Sequence, residues 1–94
     1  MSAVTIRIPT PLRSHTQGAD EVRVDAGTVG DALTALEAKH EGVLPRILAD
    51  NGEPRPFVNI YLGSQNIRAL SGLQTPVTDG NVVSIIPAVA GGTP

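Results

Sequence analysis

The sequence predicts a small α+β domain in which one main helix packs across a mixed sheet of four to five strands. The chain has 94 residues, of which 40% are hydrophobic and 17% are charged, a composition that suits a single globular core. Segments in which apolar and polar residues alternate stand near both ends of the chain, and one amphipathic helical segment lies between them. Strands and a helix in so short a chain are typical of two packed layers.

The first strand covers residues 4–8, where apolar residues alternate with polar ones until Pro9. Residues 9–20 contain prolines, a glycine and several polar residues, so we expect a long turn there. Alternation resumes over residues 21–25 and predicts the second strand of a hairpin.

A helix is predicted between Thr28 and Gly42. Thr28 is a favoured N-cap residue, Asp31 follows it at the spacing of a capping box, and Gly42 is a typical C-terminal stop. The apolar positions recur on one side of the helix, and they are Val29, Ala32, Leu33, Ala35 and Leu36. A single apolar stripe implies that one face of the helix packs on a sheet.

The second half of the chain supplies the remaining strands. Residues 43–48 include Pro45 and predict a packed turn or a short 3₁₀ segment. Strands are expected over residues 57–62, 67–70 and 82–87.

Alternation also divides the side chains of the two longer strands between the faces of the sheet. The set expected to meet the helix is Val58, Ile60, Leu62, Val83 and Ile85. Phe57, Tyr61 and Ile86 are expected to point away from it. Exposed apolar clusters commonly mark interfaces, so these three are candidate partner-binding residues, and the alternative is that they cover the edge of a small core.

The economical arrangement of these elements is a β-grasp, or ubiquitin-like, roll, with the first and last strands as parallel neighbours at the centre of the sheet. The chain then leaves the domain from the middle of its sheet. We therefore divide the sequence into a domain at residues 1–87 and a flexible C-terminal tail at residues 88–94 that carries Gly91-Gly92.

Composition disfavours several functions. The formal charge of −2, the scattered basic residues and the scarcity of aromatic residues argue against nucleic acid as a partner. The chain has no cysteine, and His15 and His40 stand in different elements, so we expect no metal site. The N-terminus lacks the apolar run of a signal peptide or membrane span, and we expect a cytoplasmic protein that does not work alone as an enzyme.

The tail is the informative part. Gly91 and Gly92 have no side chains, so the extended tail could pass through a channel of another protein that is too narrow for bulkier residues. Residues 88–92 reach about 15–18 Å when stretched, enough to present the Gly92 carbonyl carbon to catalytic groups of another protein. By composition alone, a frayed terminus is the preferred interpretation.

Several blocks of the sequence resemble the ubiquitin-like sulfur carrier protein family, which is related to the molybdopterin synthase small subunit and the thiamine sulfur carrier. They are Ile8-Pro9-Thr10 with Leu12-Arg13 and His15-Thr16, then Phe57-Val58-Asn59-Ile60-Tyr61, Asp79-Gly80 and Pro87-Ala88-Val89-Ala90-Gly91-Gly92. The terminal block is the most specific. The similarity is greatest to the CysO type, which serves a cysteine-biosynthesis route.

The resemblance implies that a ubiquitin-activating-enzyme-like adenylyltransferase/sulfurtransferase uses ATP to adenylate the Gly92 carboxylate, and that a sulfur donor converts it to a thiocarboxylate. A sulfur-accepting biosynthetic enzyme would then take the sulfur, and the carrier itself would hold no cofactor. The resemblance also implies that partner proteins bind the face of the sheet that points away from the helix. The partner-binding residues this implies are Phe57, Tyr61, Ile86, Ala88, Val89 and Ala90.

Thr93-Pro94 depart from the family pattern, because the active form ends at the second glycine. We expect a zinc-dependent JAMM-type metallopeptidase to remove them, unless the two residues are not native. Three alternatives share this terminus: a ubiquitin-like modifier joined through Gly92 to lysines of other proteins, the small subunit of a molybdopterin-synthase-like complex, and an interaction module with a dispensable tail.

Overall fold

The computed structural model describes residues 1–87 and confirms a mixed sheet covered by one main helix. The strands are β1 Ser2–Arg7, β2 Glu21–Ala26, β3 Val58–Leu62, β4 Gln65–Asn66 and β5 Val82–Pro87. The helices are α1 Val29–Lys39 and the single turn α2 Leu44–Ile47. Short 3₁₀ segments cover Thr10–His15, Ile67–Ala69 and Gly72–Gln74.

The strand order β2-β1-β5-β3-β4 is the predicted β-grasp arrangement. Strands β1 and β5 run parallel, and the other neighbouring pairs are antiparallel. Strand β5 lies at the centre, where it pairs with β1 at Ile6↔Val83 and with β3 as far as Val58↔Pro87. Because both of its edges are hydrogen-bonded, β5 fixes the position from which the chain continues beyond Pro87.

Helix α1 buries the apolar stripe that the sequence predicts, except that Ala35 is only partly buried. Val29, Ala32, Leu33 and Leu36 are completely buried and join the inward-facing residues of β1, β2, β3 and β5 in one core. Burial of one such leucine contributes about 1.5–3 kcal/mol. The core is aliphatic, since the aromatic rings of Phe57 and Tyr61 lie outside it.

Both ends of α1 are held by side chains. Thr28 caps the N-terminus, its Oγ1 accepting a hydrogen bond of 3.1 Å from the Asp31 amide. The helix ends at Lys39, three residues before the predicted stop at Gly42. The Glu37 carboxylate accepts hydrogen bonds of 2.8 Å from the amides of Gly42 and Leu44, and this turns the chain from α1 into α2.

The predicted strand over residues 67–70 is wrong. Ile67–Ala69 is a 3₁₀ segment, and the short strand β4 lies just before it at Gln65–Asn66. The reason is local: the Asn66 side chain accepts a 2.9 Å hydrogen bond from the Arg68 amide and caps the 3₁₀ segment.

The other short elements refine the prediction. The segment expected as a packed turn or 3₁₀ piece forms the α-helical turn α2. The long turn after β1 contains the 3₁₀ segment Thr10–His15, which Pro11 favours at its start. Thr16 closes that segment, its buried hydroxyl donating to the Ala19 carbonyl at 2.8 Å.

Candidate functional site

The candidate site is the end of the sheet at which β5 stops, because β5 leads along the chain to the predicted reacting group. Pro87 ends β5 five residues before Gly92. The tail positions singled out by the sequence lie outside the described residues; they are Ala88, Val89, Ala90, Gly91, Gly92 and Thr93-Pro94. The structure describes the surface from which they continue.

Two clefts flank the end of β5, and Ile85 and Pro87 line both of them. The first, named here the α2 cleft, has a volume of about 460 Å³ and lies between this strand end, α2 and the Thr10–His15 segment. The second, named the β1 cleft, has a volume of about 320 Å³ and borders the end of β1. Pro87 therefore stands between two concave surfaces.

Two of the three apolar residues expected on one sheet face lie in different clefts. Ile86 and Phe57 are 48% and 50% exposed. Ile86 lines the β1 cleft, whereas Phe57 lines the α2 cleft. Phe57 precedes β3, because the Val58 amide donates to the Arg55 carbonyl at 2.9 Å and closes a turn there.

Tyr61 is half-buried in β3, opposite Ser84 of β5, and lines neither cleft. The three residues therefore do not form the single patch that was expected. Phe57 and Ile86 are exposed beside the end of β5, and Tyr61 lies farther along β3. Contact of these residues with a partner stays a prediction.

The sequence reasoning missed a group of arginines at this end of the sheet. Arg7 and Arg13 line the β1 cleft, and Arg46 and Arg55 line the α2 cleft. Basic residues that are scattered along the chain thus converge around Pro87. The parallel pairing of β1 with β5 could have predicted the position of Arg7 from the sequence. The positions of Arg46 and Arg55 could not be predicted, because they depend on how residues 40–57 pack against the rest of the fold.

Two of these guanidinium groups are held by the backbone. Arg13 donates through Nε to the Ile8 carbonyl at 3.1 Å, and Arg55 donates through Nε to the Pro45 carbonyl at 2.8 Å. The bond from Arg55 also ties the loop before β3 to α2, which shapes the α2 cleft.

A polar network secures the edge of β3 beside the site. Asn59, opposite Ile86 in the sheet, accepts hydrogen bonds from Arg68 at 3.1 Å and from Asn66 at 3.3 Å. Arg68 also donates to the Val58 carbonyl at 3.3 Å. The start of β3 is therefore tied to β4 and to the 3₁₀ segment that follows it.

The two histidines of the chain lie in different parts of the fold. Across residues 1–87, no three or more His, Cys, Asp or Glu residues are grouped so as to hold a metal ion. His15 lines the α2 cleft, while His40 caps the C-terminus of α1. None of the helices in that range is both long and apolar enough to cross a membrane.

Comparison with known proteins agrees with this architecture. The chain matches the ThiS family over residues 6–92. It is 42% identical over 91 residues to the sulfur carrier protein CysO of Mycobacterium tuberculosis H37Rv. The matched segment covers 95% of this chain and 98% of that protein. Small archaeal modifier protein 3 of Haloferax volcanii is 43% identical over 68 residues, 72% of this chain and 73% of that protein.

A solved structure is similar over nearly the whole fold. One chain of the Amycolatopsis orientalis BexX/CysO complex is 37% identical, with a TM-score of 0.89, and the match covers 95% of this chain and 99% of that chain. The family match and the shared fold together show that this chain belongs to the ThiS family, as a ubiquitin-like sulfur carrier of the CysO type.

Proposed function

We propose that the chain carries sulfur as a thiocarboxylate on the C-terminal carboxylate of Gly92. The observation that supports this most strongly is the extent of the family match, which runs to Gly92 and leaves out Thr93-Pro94. Gly92 is the fifth residue after Pro87, and five extended residues span at most about 16–18 Å. That reach suits a group delivered into the active site of another protein.

The chemistry needs a free carboxylate at Gly92. Hydrolysis of the Gly92–Thr93 peptide bond by a JAMM-type metallopeptidase would supply it, with water providing the hydroxyl for Gly92 and the proton for the released amine. An adenylyltransferase then joins the carboxylate to the α-phosphate of ATP and releases pyrophosphate. Sulfide attacks the acyl carbon, the C–S bond forms and the C–O bond to AMP breaks. The chain is a substrate in each step, and its partners supply the catalytic groups.

The second partner is a biosynthetic enzyme that accepts the sulfur. In A. orientalis a CysO protein is found in complex with BexX, and we extend to this chain a complex of the same kind. The acceptor would yield cysteine or another sulfur-containing metabolite. This chain would bind no cofactor, since ATP belongs to the activating partner.

Intact-mass analysis tests the proposal. A chain ending at Gly92 and the chain ending at Pro94 are each incubated with ATP, sulfide and the candidate adenylyltransferases of the source organism. We expect the form ending at Gly92 to gain the mass difference between sulfur and oxygen, and the form ending at Pro94 to stay unchanged. Equal sulfur uptake by both forms, or none by the shorter form with any enzyme, would contradict the proposal.

Conjugation to proteins is a second candidate, favoured by the similarity to small archaeal modifier protein 3. The same activated Gly92 would form an isopeptide bond with a lysine, and AMP would again leave. Conjugates are larger species on denaturing gels, and they should disappear when Gly91 and Gly92 are deleted. The sulfur carrier is favoured over the modifier because the CysO match covers 95% of this chain and the modifier match 72%.

A further inference from the structure

We propose that the arginines around the end of β5 form a docking surface for an acidic segment of the enzyme that receives the tail. This arginine surface consists of Arg7 and Arg13 in the β1 cleft and Arg46 and Arg55 in the α2 cleft. The identity of the partner rests on the proposed function, whereas the preference of the surface for carboxylates does not.

Charge is distributed unevenly between the two ends of the sheet. The chain has seven Lys and Arg residues against nine Asp and Glu residues, yet four arginines meet beside Pro87. Asp20 and Glu21 stand at the same end of the sheet, beside Ile8 and Arg7, so arginines outnumber carboxylates there. At the other end, Asp79 accepts a 2.8 Å hydrogen bond from the Ala3 amide, and Asp25 pairs with Ala3 across β1 and β2. An excess of arginines at one end orients a molecule in the field of a charged partner, here with the end of β5 toward negative charge.

The arginine surface is available to a partner. In the part of the chain that the structure describes, the one ion pair joins Arg7 to Glu21 at 3.8 Å, with both side chains more than half exposed, and such pairs contribute little. Arg13 and Arg55 use Nε for backbone carbonyls. Their Nη groups donate no hydrogen bond within residues 1–87. A guanidinium fixed in this way binds a carboxylate at a lower entropic cost.

An acidic protein segment fits this surface better than other anions do. The guanidinium groups are divided between two clefts on either side of Pro87, so they are not gathered around one small phosphate. Sequence-tolerant binding of single-stranded nucleic acid needs a basic groove with several aromatic side chains on which bases stack. Among Phe, Tyr and Trp residues, only Phe57 lines either cleft, so the surface does not suit nucleic acid. Gly92 can lie up to about 16–18 Å from Pro87 when the tail is extended. Carboxylates of the partner that bind the arginine surface would therefore lie at the entrance to its tail-binding channel, away from the reacting carbon.

A titration followed by NMR tests the preference of the surface directly. The full chain is titrated with a capped hexaglutamate peptide, and with a capped hexaglutamine peptide, a thymidine oligonucleotide and pyrophosphate as comparison probes. We expect the glutamate peptide to shift the signals of residues lining the two clefts, and Arg46→Glu with Arg55→Gln to abolish the shifts around the α2 cleft, which both arginines line. Arg23→Glu is the matched control, because Arg23 is exposed on β2 and lines neither cleft.

Three results would overturn the docking surface. They are tighter binding of the oligonucleotide than of the glutamate peptide, displacement of the peptide by equimolar pyrophosphate, and peptide shifts around the α2 cleft that survive the double substitution. A thermal melt of each variant separates loss of binding from loss of folding, since Arg46 is exposed and its substitution should leave the melting temperature unchanged.

A kinetic measurement extends the test to the partner. With an adenylyltransferase that activates the chain ending at Gly92, we expect Arg46→Glu to lower kcat/KM about tenfold at low salt, and the difference to shrink at high salt because the charges are screened. Arg23→Glu should stay within about twofold. Equal rates for the two variants would overturn the docking surface. Failure of every enzyme to activate the wild type would instead overturn the proposed function, and the titration would still decide the surface.

Discussion

Ile86 is the apolar residue most directly tied to the proposed tail delivery. It is 48% exposed, lines the β1 cleft and is held opposite Asn59 in the central part of the sheet. We predict that Ile86→Asp lowers kcat/KM for adenylation by about tenfold or more, as for a central interface residue. The melting temperature should change little, because the substituted side chain points into solvent. Steady-state pyrophosphate release measures the first effect.

Leu70→Asp is the matched control for that substitution. Leu70 is an exposed leucine, 37% accessible, that lines neither cleft. This variant should be adenylated at the wild-type rate. If both variants lose activity, or if neither does, Ile86 has no specific place in the interface.

Glu37 gives the fold a defined dependence on pH. Hydrogen bonds from the Gly42 and Leu44 amides hold the pKa of this carboxyl below its ordinary value of 4.5. Since the folded-state pKa is the lower one, the stabilisation is fully present above about pH 4.5 and is lost as the pH falls through the folded-state pKa. The difference in unfolding free energy between the wild type and Glu37→Gln should therefore shrink below pH 4.5.

Urea unfolding of the wild type and Glu37→Gln over a series of pH values measures this difference. Both curves should keep the same m-value, because the substitution removes a charge and leaves the fold unchanged. A free-energy difference that stays constant from neutral pH to well below the unfolded pKa would show that the carboxylate charge does not stabilise the turn from α1 to α2.

At the level of elements, the N-terminus of α1 depends on one hydroxyl. Thr28 Oγ1 accepts from the Asp31 amide at 3.1 Å, and loss of such a cap costs about 1 kcal/mol. We predict that Thr28→Ala lowers the unfolding free energy by about that amount, while Thr28→Ser keeps most of it. Thr34→Ala, on the exposed side of α1, should have a smaller effect. Equal losses for Thr28→Ala and Thr34→Ala in urea unfolding would contradict the cap.

The elements that could be predicted from sequence are those with one buried face. Alternation locates β1, β2, β3 and β5, and the stripe of α1 is visible in its helical spacing, because each element must hide one side in a shared core. A strand of two residues such as β4 has no period to detect. The arginine surface was equally hidden, since Arg46 and Arg55 belong to irregular or single-turn segments whose direction is set by tertiary contacts such as the bond from Arg55 to the Pro45 carbonyl.

On the scale of the whole molecule, the fold fixes the position at which the chain continues beyond Pro87. Strand β5 is fixed between β1 and β3, so the position of Pro87 is set by the whole sheet. Clefts lined by apolar residues and arginines lie on both sides of that position. A partner would thus meet the arginine surface together with the tail that it processes.

The most direct measurement of the central claim is the location of the transferred sulfur. After incubation of the full chain with the trimming peptidase, the adenylyltransferase, ATP and sulfide, fragmentation mass spectrometry reads the C-terminal peptide. The account predicts one sulfur in place of oxygen on a peptide that ends at Gly92. Sulfur on a peptide that still ends at Pro94, or on any residue of the domain at positions 1–87, would contradict it.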